Sequence, residues 1–362
     1  MPLDDERRAL LALHLVPGIG PKLLDALLER FGSALAAVNA APEDITDVPH
    51  IGPQLAMKLW QALKNRNVDA EIELLERHSV QVLTRGGESY PSLLSSVTGA
   101  PPLLFVRGQL IPDEKCIGLV GSRTCTSLGK RLAERMARDL AGAGWTVVSG
   151  LARGIDGCAH RGALSGGGRT IAVLAGGLSK IYPPEHAELA EAIVASGALV
   201  TESCMRMEPL AGLFPARNRI ISGLSRGICV IEADEKSGAL ITARHALEQG
   251  REVFVLPGPA DGPTWSGNHA LLRQGARLVR HARDILDDLE GLPSFGATER
   301  AAPPPPLTGM ELSIWEGLAE ACSVDELAER LNQSVVTLTP LLMQMELAGV
   351  IQRLPGNVYE RK

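Results

Sequence analysis

Short loops of small residues carry the basic side chains whose types and spacing point to chemistry with anions. Each loop follows an apolar run that predicts a buried strand, and the carboxyl ends of parallel strands meet at one edge of a sheet. Backbone N–H groups and helix N-termini at that edge attract phosphate groups. We call this predicted phosphate-binding edge the crest. Its loops are Gly121-Ser-Arg-Thr124, Gly150-Leu-Ala-Arg-Gly154, Ala175-Gly-Gly177 and Ser237-Gly238.

The crest lacks the patterns of the common nucleotide cofactors. Gly121-Ser-Arg-Thr-Cys-Thr has only the first glycine of the dinucleotide fingerprint, and the second strand ends in Ser149-Gly150 rather than in an acidic residue. A G-x-x-x-x-G-K-[ST] sequence is also absent. The six cysteines are scattered without a C-x-x-C pair, which argues against a zinc site and a disulfide framework. We expect no cofactor and no metal.

Two sets of side chains could in principle perform catalysis. Asp156 and His160 have the i, i+4 spacing of one helix face and, with Ser149, suggest a hydrolytic triad. The G-x-S-x-G elbow is missing, however, and Asp156 is placed to cap its helix, so a structural role is favoured. Glu202 and Glu232 end two strands and are better explained as partners of arginines or supports of loops. We expect no catalytic residue.

The elements that position the crest alternate between apolar runs and helical patterns from Cys116 to about Leu289. This alternation is typical of βαβ units and predicts a Rossmann-like, doubly wound parallel sheet covered on both faces. The predicted strands are Cys116–Val120, Thr146–Ser149, Thr170–Leu174, Ala198–Thr201, Ile228–Glu232 and Glu252–Leu256. The core domain is expected to span residues 81–290, with 81–113 as a bridging extension in which Val80–Leu83 could form a strand.

Residues 1–80 are predicted to form a small all-α domain with an internal repeat. Val16-Pro-Gly-Ile-Gly-Pro-Lys-Leu23 recurs as Val48-Pro-His-Ile-Gly-Pro-Gln-Leu55, and both copies look like helix-hairpin-helix (SAM-like) motifs. The glycine turn of such a motif offers N–H groups to a phosphate. His50 replaces the first glycine in the second copy, and the acidic balance of this region favours a structural or protein-docking role.

The C-terminal part is predicted to be a Pro-rich linker, residues 291–307, followed by a winged-helix domain, residues 308–362. A capping box at Ser323-Val-Asp-Glu326 begins one helix, Val335–Leu347 forms the next, and Val350–Arg353 with Val358–Arg361 form a hairpin. The segment that would read DNA, residues 334–346, has no Lys or Arg, which favours a protein partner over a DNA groove.

Charge and hydropathy limit the possible ligands and the location of the protein. The net charge is −6, which by itself argues against a nucleic-acid partner. Lys and Arg number 8 against 12 Asp and Glu in residues 1–80, 23 against 21 in 81–290, and 5 against 9 in 291–362. A polyanion site is therefore expected in the middle segment. No apolar run is long enough for a membrane span and the N-terminus is too charged for a signal peptide, so we expect a cytoplasmic protein with no membrane contact.

The motifs of the middle segment resemble those of the DNA-processing protein A (DprA/Smf) family. They occur in the family's order between residues 116 and 280, and the helical front region and winged-helix tail are found in many members. The matching blocks are Gly121-Ser-Arg123, Ser149-Gly-Leu-Ala-Arg-Gly-Ile-Asp156, Ala159-His160, Thr170–Leu174, Tyr182-Pro183, Phe214-Pro-Ala-Arg-Asn-Arg-Ile-Ile221, Ser237–Ala243, Gly250–Val253 and Leu256-Pro-Gly258.

The resemblance implies a non-enzymatic protein that binds and protects single-stranded DNA and loads the RecA recombinase in natural transformation. It also implies a homodimer that pairs through the Rossmann-like domain, with no small-molecule substrate. The resemblance and the crest together assign ten residues to nucleic-acid binding. They are Gly121, Ser122, Arg123, Ser149, Gly150, Arg153, Lys180, Arg217, Asn218 and Arg219.

The chain departs from the family's pattern at two places. Pro184 and His186 stand where members often carry a lysine and an asparagine after the Tyr-Pro pair, so Lys180 is a substitute candidate. Leu128-Gly129 stands where a Tyr-Gly often follows the Gly-Ser-Arg loop, which removes one stacking ring. With 3% aromatic residues, the remaining stacking candidates are Tyr182, Phe214 and Trp265, and backbone contacts are expected to dominate.

Two other classes of function compete with this one. Rossmann-like relatives include phosphoribohydrolases that act on nucleoside monophosphates, but their P-G-G-x-G-T-x-x-E pattern is not matched by Ser237-Gly-Ala-Leu-Ile-Thr-Ala243. A protein scaffold that acts through the two acidic end regions would leave the basic crest without a purpose.

Overall fold

The computed structural model divides the chain into two compact units, Met1–Gly291 and Leu292–Lys362. It describes residues 3–65, 68–290, 307, 309–318, 322–347, 350–354 and 358–361. The predicted Pro-rich linker lies, apart from Leu307, outside the described residues.

The first unit begins with six helices built on the repeated hairpin. The two hairpin turns close with similar hydrogen bonds, from the Ile19 N–H to the Val16 carbonyl (3.2 Å) and from the Ile51 N–H to the Val48 carbonyl (3.0 Å). His50 has the left-handed backbone (φ +70°) that Gly18 (φ +91°) adopts in the first copy. The helices are α1 Asp5–His14, α2 Pro21–Phe31, α3 Ala34–Asn39, α4 Pro42–Ile45, α5 Pro53–Asn65 and α6 Val68–Arg77.

A nine-stranded sheet follows in the order β1-β2-β6-β5-β4-β3-β7-β8-β9. The seven strands from β3 to β9 run parallel to one another, whereas β2 is antiparallel to both β1 and β6. The strands are β1 Val80–Thr84, β2 Leu103–Gly108, β3 Cys116–Val120, β4 Thr146–Ser149, β5 Thr170–Val173, β6 Ala198–Thr201, β7 Gly227–Val230, β8 Glu252–Val255 and β9 Arg277–Leu278.

Both faces of this sheet are covered, as the sequence predicts. Along β3, Ile117 and Leu119 belong to one core, and Cys116 and Val120 to another on the opposite face. The covering helices are α7 Ser92–Ser95, α8 Ser127–Gly142, α9 Ile155–Ser165, α10 Ala187–Ser196, α11 Leu213–Leu224, α12 Ala239–Glu248, α13 Ser266–Arg273 and α14 Ala282–Glu290, with 3-10 turns at Pro184–His186 and Pro263–Trp265.

The doubly wound Rossmann-like fold is therefore confirmed. The chain runs from β3 outward through β4, β5 and β6, and then crosses back to β7 on the other side of β3. The gap between the carboxyl ends of β3 and β7 is the topological switch point, where ligands of such sheets bind. The segment predicted as a bridge contributes β2 and most of β1, so it extends the sheet rather than connecting two domains.

Polar contacts between residues far apart in sequence attach the N-terminal helices α1 to α6 to the edge of the sheet. Arg85, just after β1, pairs with Asp25 of α2. The amide of Met205 donates to Glu71 Oε1 of α6 (2.6 Å), and His14 Nε2 lies 2.8 Å from the Glu202 carbonyl oxygen.

The second unit has the helix and strand order of a winged helix. The Ser323 and Glu326 capping box is present, and Val335–Leu347 is helical as predicted. A three-stranded sheet in the order β10-β12-β11 completes it. Its elements are α15 Met310–Gly317, β10 Cys322–Ser323, α16 Val324–Leu331, α17 Val335–Leu347, β11 Ile351–Leu354 and β12 Val358–Arg361.

The described parts of both units have no helix that is long and apolar enough to cross a bilayer. Within the same ranges, no group of three or more His, Cys, Asp or Glu side chains is arranged to hold a metal ion.

Candidate nucleic-acid interface

The first two crest loops are in direct backbone contact. Gly154, which precedes α9, has a left-handed backbone (φ +76°), and a Cβ there would lie 2.3 Å from the Ser122 carbonyl oxygen. The next amide, Ile155 N–H, donates to that same oxygen (3.2 Å). The loop around Arg123 and the loop around Arg153 are therefore held against each other, which requires glycine at position 154.

Glu232 supports the first loop from below. This fully buried carboxylate accepts hydrogen bonds from the Thr126 amide (3.0 Å) and the Thr126 hydroxyl (2.8 Å) at the start of α8. The Ser122 amide donates to the Glu232 carbonyl (2.7 Å). The prediction that Glu232 holds a loop is thus confirmed.

A cleft of about 270 Å³ opens along the crest over β4 and β5, and we call it the cationic cleft. Its described lining includes three basic side chains, Arg123, Arg153 and Lys180, and no carboxylate. The rest of that lining is Thr124, Gly150, Ala152, Leu174, Ala175, Gly176, Gly177, Tyr182, Pro183, Pro209 and Phe214.

An arginine and two aromatic rings stand in a row in this cleft. The Arg123 guanidinium carbon lies 4.5 Å from the centroid of the Phe214 ring. The Tyr182 ring meets Phe214 edge to face, with 6.4 Å between the centroids, and is 43% exposed. A flat base can stack on such rings, and a guanidinium beside them can bind a phosphate or stack as well.

The other two basic side chains of the cationic cleft are paired with carboxylates at its rim. Arg153 Nε contacts Glu185, and Lys180 Nζ lies 3.5 Å from Glu208 Oε1. The hydrogen bond from Arg153 lowers the pKa of Glu185. All four side chains are about half exposed or more, and exposed pairs of this kind are weak enough for a phosphate to displace the carboxylate.

The wall of the cationic cleft behind Lys180 is built by close backbone approach. The Gly177 amide donates to the Met207 carbonyl (2.8 Å), and a Cβ on Gly177 would lie 2.1 Å from the Cys204 carbonyl oxygen. Next to it, the Ser179 amide donates to the Met205 carbonyl (3.1 Å). The segment after β6 therefore fixes the backbone that leads to Lys180.

Arg217 lies beneath the crest and not on its surface. Its side chain is 4% exposed, one Nη donates to the Val173 carbonyl, and a Cβ on Gly150 would fall 2.1 Å from Nη1. Burial lowers the pKa of the Arg217 guanidinium to about 10, with the nearby Asp156 carboxylate opposing the shift. Asp156 in turn accepts from the Gly150 (3.1 Å) and Ala152 (3.3 Å) amides, which shapes the second loop.

Three further predicted site residues are also committed to internal contacts. Arg219 pairs with Glu202, as the interpretation of Glu202 as a partner of an arginine requires. The fully buried Ser149 hydroxyl donates to the Leu119 carbonyl (2.6 Å), and Asn218 Nδ2 donates to the Gly238 carbonyl (3.3 Å). Among the predicted residues, Arg123, Gly150, Arg153 and Lys180 line the cationic cleft. Gly121, Ser122, Arg123, Arg217 and Asn218 line a second cleft described below.

The arrangement of Ser149, Asp156 and His160 is not that of a triad. His160 is fully buried, and its Nδ1 lies 2.7 Å from the Thr170 hydroxyl, which itself donates to the Val147 carbonyl. Nδ1 therefore carries the proton. Burial lowers the pKa of His160 to about 3. These contacts fit the structural role that the sequence favours.

A second cleft of about 360 Å³ lies at the switch point between β3 and β7, and we call it the switch-point cleft. It shares the Arg123 and Phe214 wall with the cationic cleft and is closed on the other side by Asp234, Ser237 and Gly238. One expected stacking ring is absent from both linings, because Trp265 is buried against Gly258.

Sequence reasoning missed the rim carboxylates. Glu185 follows the Tyr182-Pro183 pair by two residues. That closeness in sequence was the one signal that could have placed Glu185 near the site. The pairing itself joins residues 32 positions apart, which no local pattern reveals.

A cationic crest on a doubly wound sheet, in a chain that also carries tandem hairpins and a winged helix, defines a class of DNA-processing protein. Residues 81–290 match the family model of DNA recombination-mediator protein A. Residues 298–357 match the DprA winged helix domain, and residues 10–65 match a SAM-like helix-hairpin-helix tandem. The chain belongs to the DNA recombination-mediator protein A family, also called DprA/Smf.

Individual relatives agree with this membership. The chain is 42% identical to the protein Smf of Escherichia coli over 81% of this chain and 80% of that one. It is 36% identical to the DNA processing protein DprA of Streptococcus pneumoniae over 68% and 86%, respectively. The crystal structure of S. pneumoniae DprA superposes with a TM-score of 0.68 at 33% identity, covering 80% of this chain and 99% of that one.

A second solved relative is the DNA processing protein A of Helicobacter pylori, described for its single-stranded DNA binding mode. It superposes with a TM-score of 0.53 at 28% identity, over 58% of this chain and 95% of that one.

Proposed function

We propose that this chain binds single-stranded DNA along the crest, protects incoming DNA and loads the RecA recombinase during natural transformation and recombination. The observation that carries the proposal is the row of Arg123, Phe214 and Tyr182 in a cleft that also holds Arg153 and Lys180. Aromatic rings beside phosphate-binding cations suit a strand of any sequence, because every base has a face that stacks. The H. pylori relative described as binding single-stranded DNA supports the same conclusion.

The proposal extends to the assembly in which the protein works. The chain acts as a non-enzymatic homodimer that pairs through the Rossmann-like domain, and its role implies a cytoplasmic location. The binding residues are Arg123, Arg153 and Lys180 through their side chains, and Gly121, Ser122 and Gly150 through the backbone of the loops. Arg217 and Ser149 support those loops from below.

A fluorescence anisotropy titration with a labelled single-stranded oligonucleotide tests the binding. Arg123→Ala is expected to weaken binding about tenfold, or about 1.4 kcal/mol, because it removes a cation that can bind a phosphate or stack on a base. If Arg123 neutralises one phosphate, the slope of log affinity against log salt falls by about 0.7.

The matched control is Arg138→Ala, because Arg138 is 54% exposed near the other end of α8, at the opposite edge of the sheet. It is expected to bind like the unaltered protein. Absence of binding at low salt would contradict the proposal, and release of a free base from nucleoside monophosphates would favour the phosphoribohydrolase alternative.

Loading of RecA and pairing of the chain need separate measurements. RecA assembly on oligonucleotides precoated with single-strand-binding protein is expected to accelerate with this chain and not with Arg123→Ala. Light scattering of the eluting full chain gives its mass, and a monomer at every concentration would contradict the homodimer.

A further inference from the structure

The nine-stranded sheet ends at β1 in an edge that faces a cleft. Among the described residues, β1 is the first strand in the order and pairs only with β2. A cleft of about 1040 Å³ runs along β1, and we call it the edge cleft. None of its described lining residues belongs to the cationic cleft or to the switch-point cleft. The edge cleft is therefore distinct from both of them.

The backbone of β1 lies along the edge cleft. All five consecutive residues of the strand, Val80–Thr84, line the cleft. Side chains of consecutive strand residues point to opposite faces of a sheet, so a cleft that all five line runs along the edge of the strand. The edge cleft thus lies on the side of β1 where a further strand would pair.

The hydrogen bonds to β2 show which backbone groups of β1 face the edge cleft. The Arg85 amide donates to the carbonyl of Pro102, which is opposite it in the register (3.0 Å). Hydrogen-bonded pairs alternate along an antiparallel ladder, so the odd-numbered residues of β1 bond to β2. The N–H and C=O groups of Val80 and Val82 therefore point outward, and no hydrogen bond within the described ranges occupies them.

Helix α6 forms an apolar wall of the edge cleft. Ile72 and Leu75 of this helix line the cleft beside β1. Val80 and Val82 belong to the same apolar core as Leu75, whereas Gln81 between them is exposed. A strand added at this edge would place alternate side chains against the apolar wall and the others toward solvent.

The charges of the edge cleft favour a basic ligand. Its described lining has two exposed carboxylates, Glu76 and Glu88, against one guanidinium group, that of Arg7. Arg7 already has a carboxylate partner, because its Nε lies 3.6 Å from Asp4 Oδ2. The lining therefore has an excess of negative charge, which lysine or arginine side chains of a ligand would complement.

We propose that the edge cleft binds an extended peptide segment of a partner protein, in which apolar residues alternate with lysine or arginine, and that the segment pairs with β1 as an added strand. In this mode of recognition the main-chain hydrogen bonds, here to Val80 and Val82, supply affinity, and the alternate side chains supply specificity. A second copy of this chain is a poorer occupant. Its own edge lies between α6 and the turn at residues 86–90, both of which line the cleft, and a single extended segment reaches such an edge more easily. The site is independent of DNA binding.

A fluorescein-labelled peptide of alternating lysine and valine is the probe, and anisotropy with the full chain measures its binding. Two control peptides have the same charge and side chains but are N-methylated at every valine or at every lysine, so each lacks the N–H donors of one edge. The unmethylated peptide is expected to bind, and one of the two methylated peptides to bind about tenfold more weakly or worse. A peptide of alternating glutamate and valine is expected to bind weakly as well, because its charge matches that of the cleft.

A proline in β1 tests whether the strand edge is the binding surface. Val82→Pro removes an outward N–H group and leaves the hydrogen bonds to β2 in place, so the lysine–valine peptide is expected to bind about tenfold more weakly. The matched control is Val82→Ala, which also loses side-chain packing but keeps the N–H group and should bind like the unaltered protein. Thermal melting establishes that each variant is folded.

Two further variants test the charge of the edge cleft without altering β1. Glu76→Lys and Glu88→Lys each replace an attraction for a lysine side chain by a repulsion, so each is expected to weaken the lysine–valine peptide about threefold to tenfold at low salt. The matched control is Glu29→Lys, since Glu29 is exposed on α2 and outside the described lining. It makes the same change in net charge and should leave peptide binding unchanged.

The outcomes separate this proposal from its alternatives. No binding of the lysine–valine peptide at low salt, or equal binding of all three basic peptides, would overturn the added strand. Equal binding by Val82→Pro and the unaltered protein would overturn the assignment to β1. A smaller mass of Val82→Pro in light scattering would show that a second copy occupies the edge and would overturn the peptide site. Single-stranded DNA binding is expected to be unchanged in all these variants, so a failure here leaves the proposed function intact.

Discussion

The Arg123 guanidinium lies over the face of the Phe214 ring, with 4.5 Å between the guanidinium carbon and the ring centroid. The two residues come from different strand ends, since Arg123 follows β3 and Phe214 lies in the first turn of α11, after β6. Their contact forms the wall between the cationic cleft and the switch-point cleft. A strand that occupies both clefts must pass this wall.

Replacing the ring tests whether the wall is a stacking surface. Phe214→Leu keeps an apolar side chain of similar bulk but removes the π face, so single-stranded DNA affinity is expected to fall about tenfold, from a stacking contribution of about 1–3 kcal/mol. A double-mutant cycle with Arg123→Ala, measured by anisotropy, is expected to show coupling, because the two groups are in contact. Strictly additive losses would mean that they act independently.

The Arg153 and Glu185 pair is expected to weaken DNA binding in the unaltered protein. Glu185→Gln removes the carboxylate that competes with a phosphate for Arg153, so affinity at low salt should rise about twofold to fivefold, as the small strength of exposed pairs implies. The gain should vanish at high salt because both interactions are screened.

Glu191→Gln is the matched control for Glu185→Gln. Glu191 holds Arg107 through two hydrogen bonds of 2.7 Å, and neither residue is among the described lining of the clefts. An equal gain in DNA affinity in both variants would show that releasing any surface arginine from its carboxylate strengthens binding. It would contradict a specific competition between Glu185 and the phosphate.

Gly154→Ala is expected to damage both crest loops. The left-handed backbone and the Ser122 carbonyl 2.3 Å from the new Cβ predict a loss of about 2 kcal/mol or more in unfolding free energy. Urea denaturation measures the loss, and anisotropy should show weaker binding while the variant is still folded. Gly142→Ala, at the open end of α8, is expected to be neutral or to stabilise by up to about 1 kcal/mol.

His160 makes the fold sensitive to acid. Its folded pKa of about 3 lies below the ordinary value of 6.5, so the unfolded chain takes up a proton that the folded chain excludes, and stability falls as pH drops below 6.5. Between about pH 7.5 and about pH 5.5, His160 alone is expected to lower the unfolding free energy by about 1.4 kcal/mol.

His160→Asn isolates this effect, because an asparagine amide can replace Nδ1 as the donor to Thr170. Denaturation of both proteins at the two pH values should show a smaller loss in the variant. An identical loss would exclude His160 as the source.

The sequence predicts individual helices and strands well, because hydrophobic periodicity and the residues that form turns and caps act between neighbours along the chain. All six predicted core strands start within one residue of the observed ones, and three of them agree at both ends. The Ser323 capping box is where the pattern places it. The strand Leu103–Gly108 was not predicted. It follows Pro101-Pro102 and pairs antiparallel both with Val80–Thr84 and with Ala198–Thr201, which lies almost a hundred residues later.

The sequence predicts which loops form the candidate site. It does not predict which of the basic residues in those motifs are exposed and which are buried. Loop position brings Arg123, Arg153 and Lys180 to the cationic cleft, as the crest interpretation requires. Arg217 and Arg219 belong to the same motif, yet the first is buried beside Asp156 and the second pairs with Glu202. Which arginine of one helix faces solvent depends on packing between distant segments, and a linear pattern does not contain that information.

The attachment of the front helices to the sheet has a thermodynamic consequence. Glu71 of α6 holds the Met205 amide, and the Met205 carbonyl holds the amide of Ser179, the residue before Lys180. A partner that displaced α6 would break the first of these two hydrogen bonds, and we expect it to change the affinity of the proposed DNA-binding cleft for a strand. Because linkage is reciprocal, the ligand changes the affinity for that partner by the same factor.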